Sequence, residues 1–194
     1  MDNMNLTPAE KAIIGRIAGN IKDIIELLGE DPGRDGLRKT PMRAARALYF
    51  ATQGYRETPQ SILSQAVFKH DGSGLIIVRD IEFYSMCEHH ILPFFGTVSI
   101  GYVPGENIIG ISKLARLVNL YARRLQIQER LTAQICTTLY EKLGCKGVIV
   151  TCNAQHLCMK MRGVEKQNAS TTTVDTIGCM DDADWQRRFY DSMR

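Results

Sequence analysis

The sequence lacks any apolar run approaching the roughly 20 residues that a helix needs to cross a bilayer. Its first residues, MDNMNLTPAEK, contain no basic segment followed by an apolar stretch, so they do not look like a secretory signal. A net charge of +3 is too small to indicate nucleic-acid binding by itself. Internal repeats and low-complexity linkers are also missing. We therefore expect a cytoplasmic protein that binds neither membrane nor nucleic acid.

What the sequence does contain is ordinary globular composition. Of its 194 residues 44% are hydrophobic and 23% charged, which is enough for one good-sized domain with a small appendage. Six cysteines without a secretion signal favour a reducing compartment. Metal ligands or buried thiols are therefore expected rather than a disulfide framework.

The first third of the chain has helical patterning. Thr7-Pro8-Ala9-Glu10 is a capping box, and isoleucines follow at helical spacing as far as Leu28. Thr40, followed by proline, predicts a second helix that ends near Gln53. We predict an N-terminal helical region over residues 1–64.

The pattern over residues 65–194 predicts a second region, in which strands and helices are mixed. An α+β fold is expected, with an antiparallel sheet and two central helices packed on one of its faces. The predicted elements are strands over 75–83 and 94–103, a hairpin turn at 104–107, a helix over 112–124 capped by Ser112, a helix over 128–143, strands over 147–154, 156–162 and 171–177, and a terminal helix over 181–193.

Two short motifs carry metal-binding residue types. The first is Cys87-Glu88-His89-His90, and the second is His156-Leu157-Cys158. Two thiolates and up to three imidazoles are enough for a zinc site with three protein ligands. On a strand, residues two apart face the same side, so His156 and Cys158 are expected to share one cavity.

The third ligand beside Cys87 and Cys158 is open between two neighbouring histidines. We favour His90, because C-x-x-H is a common chelating loop and a ligand at His89 would strain so short a turn. His89 and His156 would then be free as acid–base groups near neutral pH. A structural zinc with four protein ligands, a disulfide between Cys87 and Cys158, and thiols buried without a metal remain alternatives.

A possible anion site occurs where Ser112, Lys113 and Arg116 open a helix after a strand. Helix N-termini bind phosphate through unpaired N–H groups and the helix dipole. Taken alone, an ordinary capped helix with a solvated basic face explains these residues as well. Arg43 and Arg46, one turn apart, and the later Arg162 carry the same ambiguity.

Gln128 and Glu129 open the helix over 128–143. Glu129 is favourably placed at the positive end of a helix dipole, and this is the simpler interpretation. The functional alternative is a carboxylate presented to paired N–H donors, such as the edge of guanine.

Taken in order, four strings resemble the GTP cyclohydrolase I family: TPMRAAR, SMCEHHILPFFG, IGISKLARLVNLYARRLQIQERLT, and QHLCMKMRGV with its later TTT run. The resemblance covers roughly residues 8–178. It implies the tunnelling fold for a catalytic domain over 65–194. In that fold subunits join their antiparallel sheets into a barrel, giving a toroidal homodecamer with active sites at subunit interfaces.

The resemblance also implies a reaction. GTP is hydrolysed at C8 with zinc, formate leaves, the ribose rearranges, and ring closure gives 7,8-dihydroneopterin triphosphate for pterin and folate synthesis. It further implies a role for each motif residue: zinc ligands Cys87, His90 and Cys158; catalytic residues His89, His156, Ser112 and Glu88; and GTP-binding residues Glu129, Gln128, Lys113, Arg116 and Arg162, with Arg43 and Arg46 from a neighbouring subunit.

A desolvated Glu129, assisted by Gln128, would select guanine over adenine. Two other interpretations remain open. One is a different tunnelling-fold enzyme acting on a pterin or deazapurine, and the other is a zinc-stabilised binding module without catalysis.

Overall fold

The structure is a computed structural model that describes residues 6–64 and 66–194. Backbone contacts divide the chain into two compact units, Met1–Thr52 and Gln53–Arg194. Within the described residues, no helix is both long and apolar enough to cross a bilayer.

The first unit contains helices α1 (Pro8–Leu27) and α2 (Thr40–Ala51). The predicted capping box is present, because the Thr7 hydroxyl accepts the Glu10 N–H and the Glu10 carboxylate accepts the Thr7 N–H. The Tyr49 hydroxyl donates to Glu10 at 3.0 Å, which ties α2 to the start of α1. Both predicted N-terminal helices are confirmed.

The second unit has a mixed order of strands and helices. Its elements are a 3-10 turn (Gln53–Arg56), α3 (Pro59–Leu63), β1 (Val67–Lys69), β2 (Ile76–Cys87), β3 (Pro93–Val103), β4 (Asn107–Ile109), α4 (Ile111–Ala122), β5 (Leu125–Gln126), α5 (Gln128–Leu143), β6 (Gly147–His156), α6 (Leu157–Lys160), β7 (Thr171–Gly178), a 3-10 turn (Cys179–Asp181) and α7 (Ala183–Asp191).

The main sheet has the strand order β5-β2-β3-β6-β7. Its four long strands are antiparallel, as expected, and the two-residue β5 adds a parallel edge beside β2. The turn at 104–107 does not form the predicted hairpin with β3, because β4 pairs instead with β1 in a separate two-stranded sheet.

Helices α4 and α5 cover one face of the main sheet, so the predicted α+β architecture is confirmed. The core on this face joins sheet residues such as Phe83, Phe94 and Val150 to Leu117 of α4 and Ile135 of α5. Burying each such side chain contributes about 1.5–3 kcal/mol. On the opposite face, α7 forms a smaller core in which Phe189 meets Val103 and Ile149.

The regular alternation of faces that a strand over 75–83 would have is interrupted, because β2 contains a bulge. The pairing register with β3 shifts between Val78 and Ile81, and Asp80 has a φ of 57°. The Asp80 N–H donates to the Ser99 hydroxyl at 3.2 Å instead of to a ladder partner. The extra residue returns Ile81 and Phe83 to the face already occupied by Val78, so side chains three apart share the core.

Two further local predictions are also wrong. Residues 156–162 do not form a strand: β6 runs on through His156, and the chain then turns into the short helix α6. Ser112 does not cap α4 either, because Gly110 occupies the N-cap position without a side-chain hydrogen bond. Ser112 is exposed within the first turn.

The backbones of β3 and β6 approach each other closely at Gly96. A Cβ atom at this position would meet the carbonyl oxygen of Asn153 and, at 2.7 Å, the Cα of Ala154. Backbone atoms cannot move aside as a flexible side chain can, so Gly96→Ala should lower the free energy of unfolding by about 1–3 kcal/mol or more. Chemical denaturation at matched protein concentration measures this. Gly74→Ala is the control, because a Cβ there meets nothing within 4 Å. Equal stabilities of the two variants would contradict the close approach.

Candidate metal centre and its polar surroundings

The first metal-binding motif lies on the tight connection between β2 and β3. Cys87 is the last residue of β2, and its N–H donates to the Leu92 carbonyl at 2.8 Å. The Ile91 N–H returns to the Cys87 carbonyl at 2.9 Å, with Ile91 at a φ of 53°. His89 and His90 therefore stand at the tip of a closed loop, where both side chains are exposed.

The second motif reaches the same place from β6. His156 ends this strand, and Cys158 lies in the helical turn α6 that follows. The expectation that both residues share a strand face is therefore wrong, although Cys158 still reaches Cys87. The helical turn, and not strand alternation, directs its thiol.

Cys87, His90 and Cys158 form one cluster, in which the three donor atoms lie within 4.8 Å of one another. The Cys87 Sγ is 3.8 Å from the His90 Nδ1 and 4.0 Å from the His89 Nδ1. Across residues 6–64 and 66–194, no fourth carboxylate, thiol or imidazole joins the cluster. Two thiols and one imidazole suit zinc, and three protein ligands leave a tetrahedral position open, as catalytic zinc sites do.

The surroundings of the Cys158 thiol affect its protonation. Burial, followed by the neighbouring Cys87, raises the pKa of the Cys158 thiol above its ordinary value, while Arg162 acts in the opposite direction. A bound cation reverses this preference and deprotonates coordinating thiols.

All six cysteines are free thiols. Burial raises the pKa of Cys136, Cys145 and Cys152 to about 12, so these three are inert core residues.

Glu88 lies inside the first motif, and its carboxylate forms an ion pair outside the metal cluster. Its carboxylate pairs with Arg130 of α5 at 2.5 Å, and its N–H donates to the Gln126 carbonyl at 3.0 Å. A weaker contact of 3.8 Å joins it to the His89 Nε2. These bonds tie the metal-binding loop to the start of α5.

His156 and Gln128 are hydrogen-bonded to each other. The His156 Nε2 lies 2.8 Å from the Gln128 Oε1, and the imidazole stacks on Phe94 with ring centroids 4.7 Å apart. Burial lowers the pKa of His156 below its ordinary value, and the Glu129 carboxylate opposes this shift. Glu129 is thus close enough to influence His156. Its own side chain is exposed, so the desolvation expected for it is absent in the single chain.

The predicted phosphate ligands of the second unit lie on α4 and in the segment that follows α6. Lys113 is only 8% exposed, and no acidic side chain in the described parts of the chain pairs with its ammonium group. Arg116, one turn later, lines a cavity of about 380 Å³ together with Glu57 and Ser61. The exposed Arg162 follows α6 close to Cys158. Among the described residues, no hydrogen bond or ion pair joins Ser112, Lys113 or Arg116 to the metal cluster.

Arg43 and Arg46 belong to the N-terminal unit. Both lie on α2, where Arg43 is exposed and Arg46 is half-buried.

Known proteins provide an independent comparison with this geometry. A profile of the GTP cyclohydrolase I family matches residues 17–194. The chain belongs to the GTP cyclohydrolase I family. GTP cyclohydrolase 1 of Porphyromonas gingivalis is 51% identical over 174 residues, which make up 90% of each chain. The Alkalilimnicola ehrlichii protein of that name is 52% identical over 163 residues, or 84% of this chain and 88% of the other.

A third GTP cyclohydrolase 1, from Campylobacter curvus, is 47% identical over 172 residues, covering 88% of this chain and 90% of that one. Among solved structures, the apo form of the archaeosine synthase QueF-like is 17% identical, with a TM-score of 0.45. It covers 56% of this chain and 97% of its own.

Two residues of this GTP cyclohydrolase I family member were not singled out from the sequence. Arg130 follows Glu129 directly, and its ion pair with Glu88 has no sequence signal because 42 residues separate the partners. Phe94 was placed on a strand, but its stacking on His156 follows from the β3–β6 register, which pairs the two residues.

Cys158→Ser should lose the metal, because a serine hydroxyl is a poor replacement for a soft thiolate ligand of zinc. We expect zinc content to fall from about one ion per chain to a small fraction of that, as measured by elemental analysis after gel filtration. Cys179→Ser is the matched control, since it replaces another half-buried free thiol outside the cluster. Full zinc retention in Cys158→Ser would remove this residue from the ligand set.

Proposed function

We propose that this protein opens the imidazole ring of GTP at C8, releases formate, and forms 7,8-dihydroneopterin triphosphate. One observation carries the proposal: in a GTP cyclohydrolase I family member, two thiols and one imidazole converge without a fourth donor from the described residues. A closed four-ligand site would have favoured a structural metal.

Cys87, His90 and Cys158 are the residues that would hold zinc. When bound, the metal supplies Lewis-acid chemistry that makes water nucleophilic near neutral pH. The remaining work belongs to side chains that bind, orient and exchange protons.

His156 is the proposed proton donor to N7 of the purine. Ring opening leaves electron density on that nitrogen, and a positioned acid can contribute about 10²–10⁴-fold to the rate. Burial disfavours the imidazolium form, whereas the Glu129 carboxylate favours it. His89, exposed at the tip of the loop, is proposed as a second acid–base group, and Ser112 as an aid to the ribose rearrangement.

Glu129 is the residue proposed to recognise the guanine base. A carboxylate accepts both the N1–H and the amino N–H of guanine, whereas adenine places an acceptor opposite it. Sites that leave buried polar groups unpaired reject such analogues by roughly 10⁴-fold. Because Glu129 is exposed in the single chain, this discrimination requires further cover from the substrate and a neighbouring subunit.

Lys113, Arg116 and Arg162 are proposed to neutralise the triphosphate. The burial of Lys113 without an acidic partner in the described residues supports a role in binding an anion. Arg43 and Arg46 are proposed to act from a neighbouring subunit of a homodecamer. The outer strand β7 supports assembly, because among the described residues no strand pairs with its outer edge.

The function is tested by measuring zinc stoichiometry, GTP turnover by absorbance, and formate release on one sample. We expect zinc-loaded protein to release one formate for each GTP consumed, and chelation to abolish turnover. Protein that is fully zinc-loaded and binds GTP, but releases no formate, would be a binding module and not this enzyme.

Glu129→Ala should weaken GTP binding by roughly 10²- to 10⁴-fold, because two charge-assisted hydrogen bonds of about 1.5–3 kcal/mol each are lost. Zinc content should not change, since the side chain is not in the metal cluster. Equilibrium binding of GTP and elemental analysis provide the two measurements. Glu141→Ala, an exposed glutamate on the same helix, is the control. Unchanged GTP affinity in Glu129→Ala would refute the assigned role.

A further inference from the structure

Both ends of the Gln128 amide are hydrogen-bonded within the fold. The side chain is 1% exposed. Its Nε2 donates to the carbonyl oxygens of Cys152 and Thr171, both at 2.9 Å, with the Thr173 hydroxyl at 3.3 Å. Its Oε1 lies 2.8 Å from the His156 Nε2.

These partners determine which way the amide points. Carbonyl oxygens only accept hydrogen bonds, so the amide nitrogen must face Cys152 and Thr171. The amide oxygen is then the atom that faces His156, and an oxygen without hydrogen can only accept. The hydrogen of this bond must therefore sit on the His156 Nε2.

Phe94 fixes the plane of the same imidazole. The two rings are 5° from parallel, and Phe94 is fully buried in the core on its own side. Together, the stacking and the hydrogen bond hold the ring in one orientation. The His156 Nδ1 has no hydrogen-bond partner among the residues that the structure describes.

We propose that Gln128 is a positioning residue, which fixes His156 in the Nε2–H tautomer and leaves Nδ1 as the atom that faces chemistry. The catalytic consequence rests on the proposed function. In that reaction the Nδ1–H bond breaks, its electron pair stays on Nδ1, and the proton forms the new N–H bond at N7 of the purine. The ring left behind is the neutral Nε2–H tautomer that Gln128 already stabilises.

This assignment changes the role expected for Gln128. A glutamine that assists Glu129 in binding guanine needs a free donor or acceptor. Both amide hydrogens are already bonded within the fold, and a ligand would have to break buried hydrogen bonds to reach them. The amide oxygen faces His156, and its second lone pair belongs to a side chain that is only 1% exposed in the single chain. Gln128 therefore acts through His156 and not on the base.

The tautomer is measured directly by ¹⁵N NMR on histidine-labelled, full-length protein, at a pH where the imidazoles are neutral. The chain has four histidines, and a His156→Gln sample assigns the ring signals. We expect the His156 Nε2 to carry a slowly exchanging proton and Nδ1 to give the signal of an unprotonated nitrogen. A proton found on Nδ1 in the unmodified protein would overturn the proposal without any variant.

Gln128→Leu removes the acceptor and the amide donors while keeping a side chain of similar size. We expect the slowly exchanging Nε2 proton to disappear and kcat for GTP to fall about 10- to 100-fold, as for lost residues that orient a catalytic group. KM should change less than about threefold, because the residue does not touch the substrate. A large rise in KM with unchanged kcat would instead make Gln128 a base-binding residue.

Thr132→Val is the matched control. Thr132 is equally buried, and its hydroxyl bonds to the Gln128 carbonyl and to Thr173, but it does not contact the amide or His156. It should lower stability while retaining the Nε2 proton. Loss of that proton in both variants would show general loosening and contradict a specific role for Gln128. If the unmodified protein fails to turn over GTP, the proposed function fails, whereas the NMR result still decides the tautomer.

Discussion

The position of β3 between β2 and β6 is the constraint on which the candidate site depends. Phe94, near the start of β3, pairs with Ser85 on one side and with His156 on the other. Antiparallel pairing therefore brings the end of β2, with its metal-binding loop, beside the end of β6, from which α6 projects Cys158. The two metal-binding motifs are far apart in sequence, since His156 lies 66 residues after His90. They meet because β2 and β6, which both pair antiparallel with β3, end on the same side of the sheet.

The start of α5 connects this edge to the rest of the site through three consecutive residues with different environments. Gln128 points inward to His156, Glu129 is exposed, and Arg130 pairs with Glu88 of the metal-binding loop. Successive side chains of a helix point about 100° apart. The first turn of α5 can therefore direct Gln128 to His156, Glu129 to a ligand and Arg130 to the metal-binding loop. This turn therefore connects the metal-binding loop, through Arg130, to Glu129, which is proposed to bind the base.

Much of this could be predicted from the sequence because the signals are local. Capping chemistry at Thr7 and the αL glycine at Gly144 place the ends of α1 and α5 correctly. The spacing of Cys87 and His90 within a closed loop indicates a chelating pair. Where the prediction failed, a non-local interaction prevailed. The bulge at Asp80 requires Ser99 of another strand, and the true end of β6 at His156 is set by pairing with Phe94. Gln128 was assigned to the base because its saturation by Cys152 and Thr171 leaves no trace in sequence.

The sequence by itself determined the candidate metal ligands, the start of α1, the end of α5 and the family, because residue chemistry and short-range periodicity are written along the chain. Only the tertiary structure decided that three donors converge among the described residues, that Glu88 is held by Arg130, and that the His156 Nε2 faces the Gln128 amide oxygen. These properties depend on distances between segments far apart in sequence. Such distances are fixed by strand register and by the need to satisfy buried polar groups, which no single segment encodes.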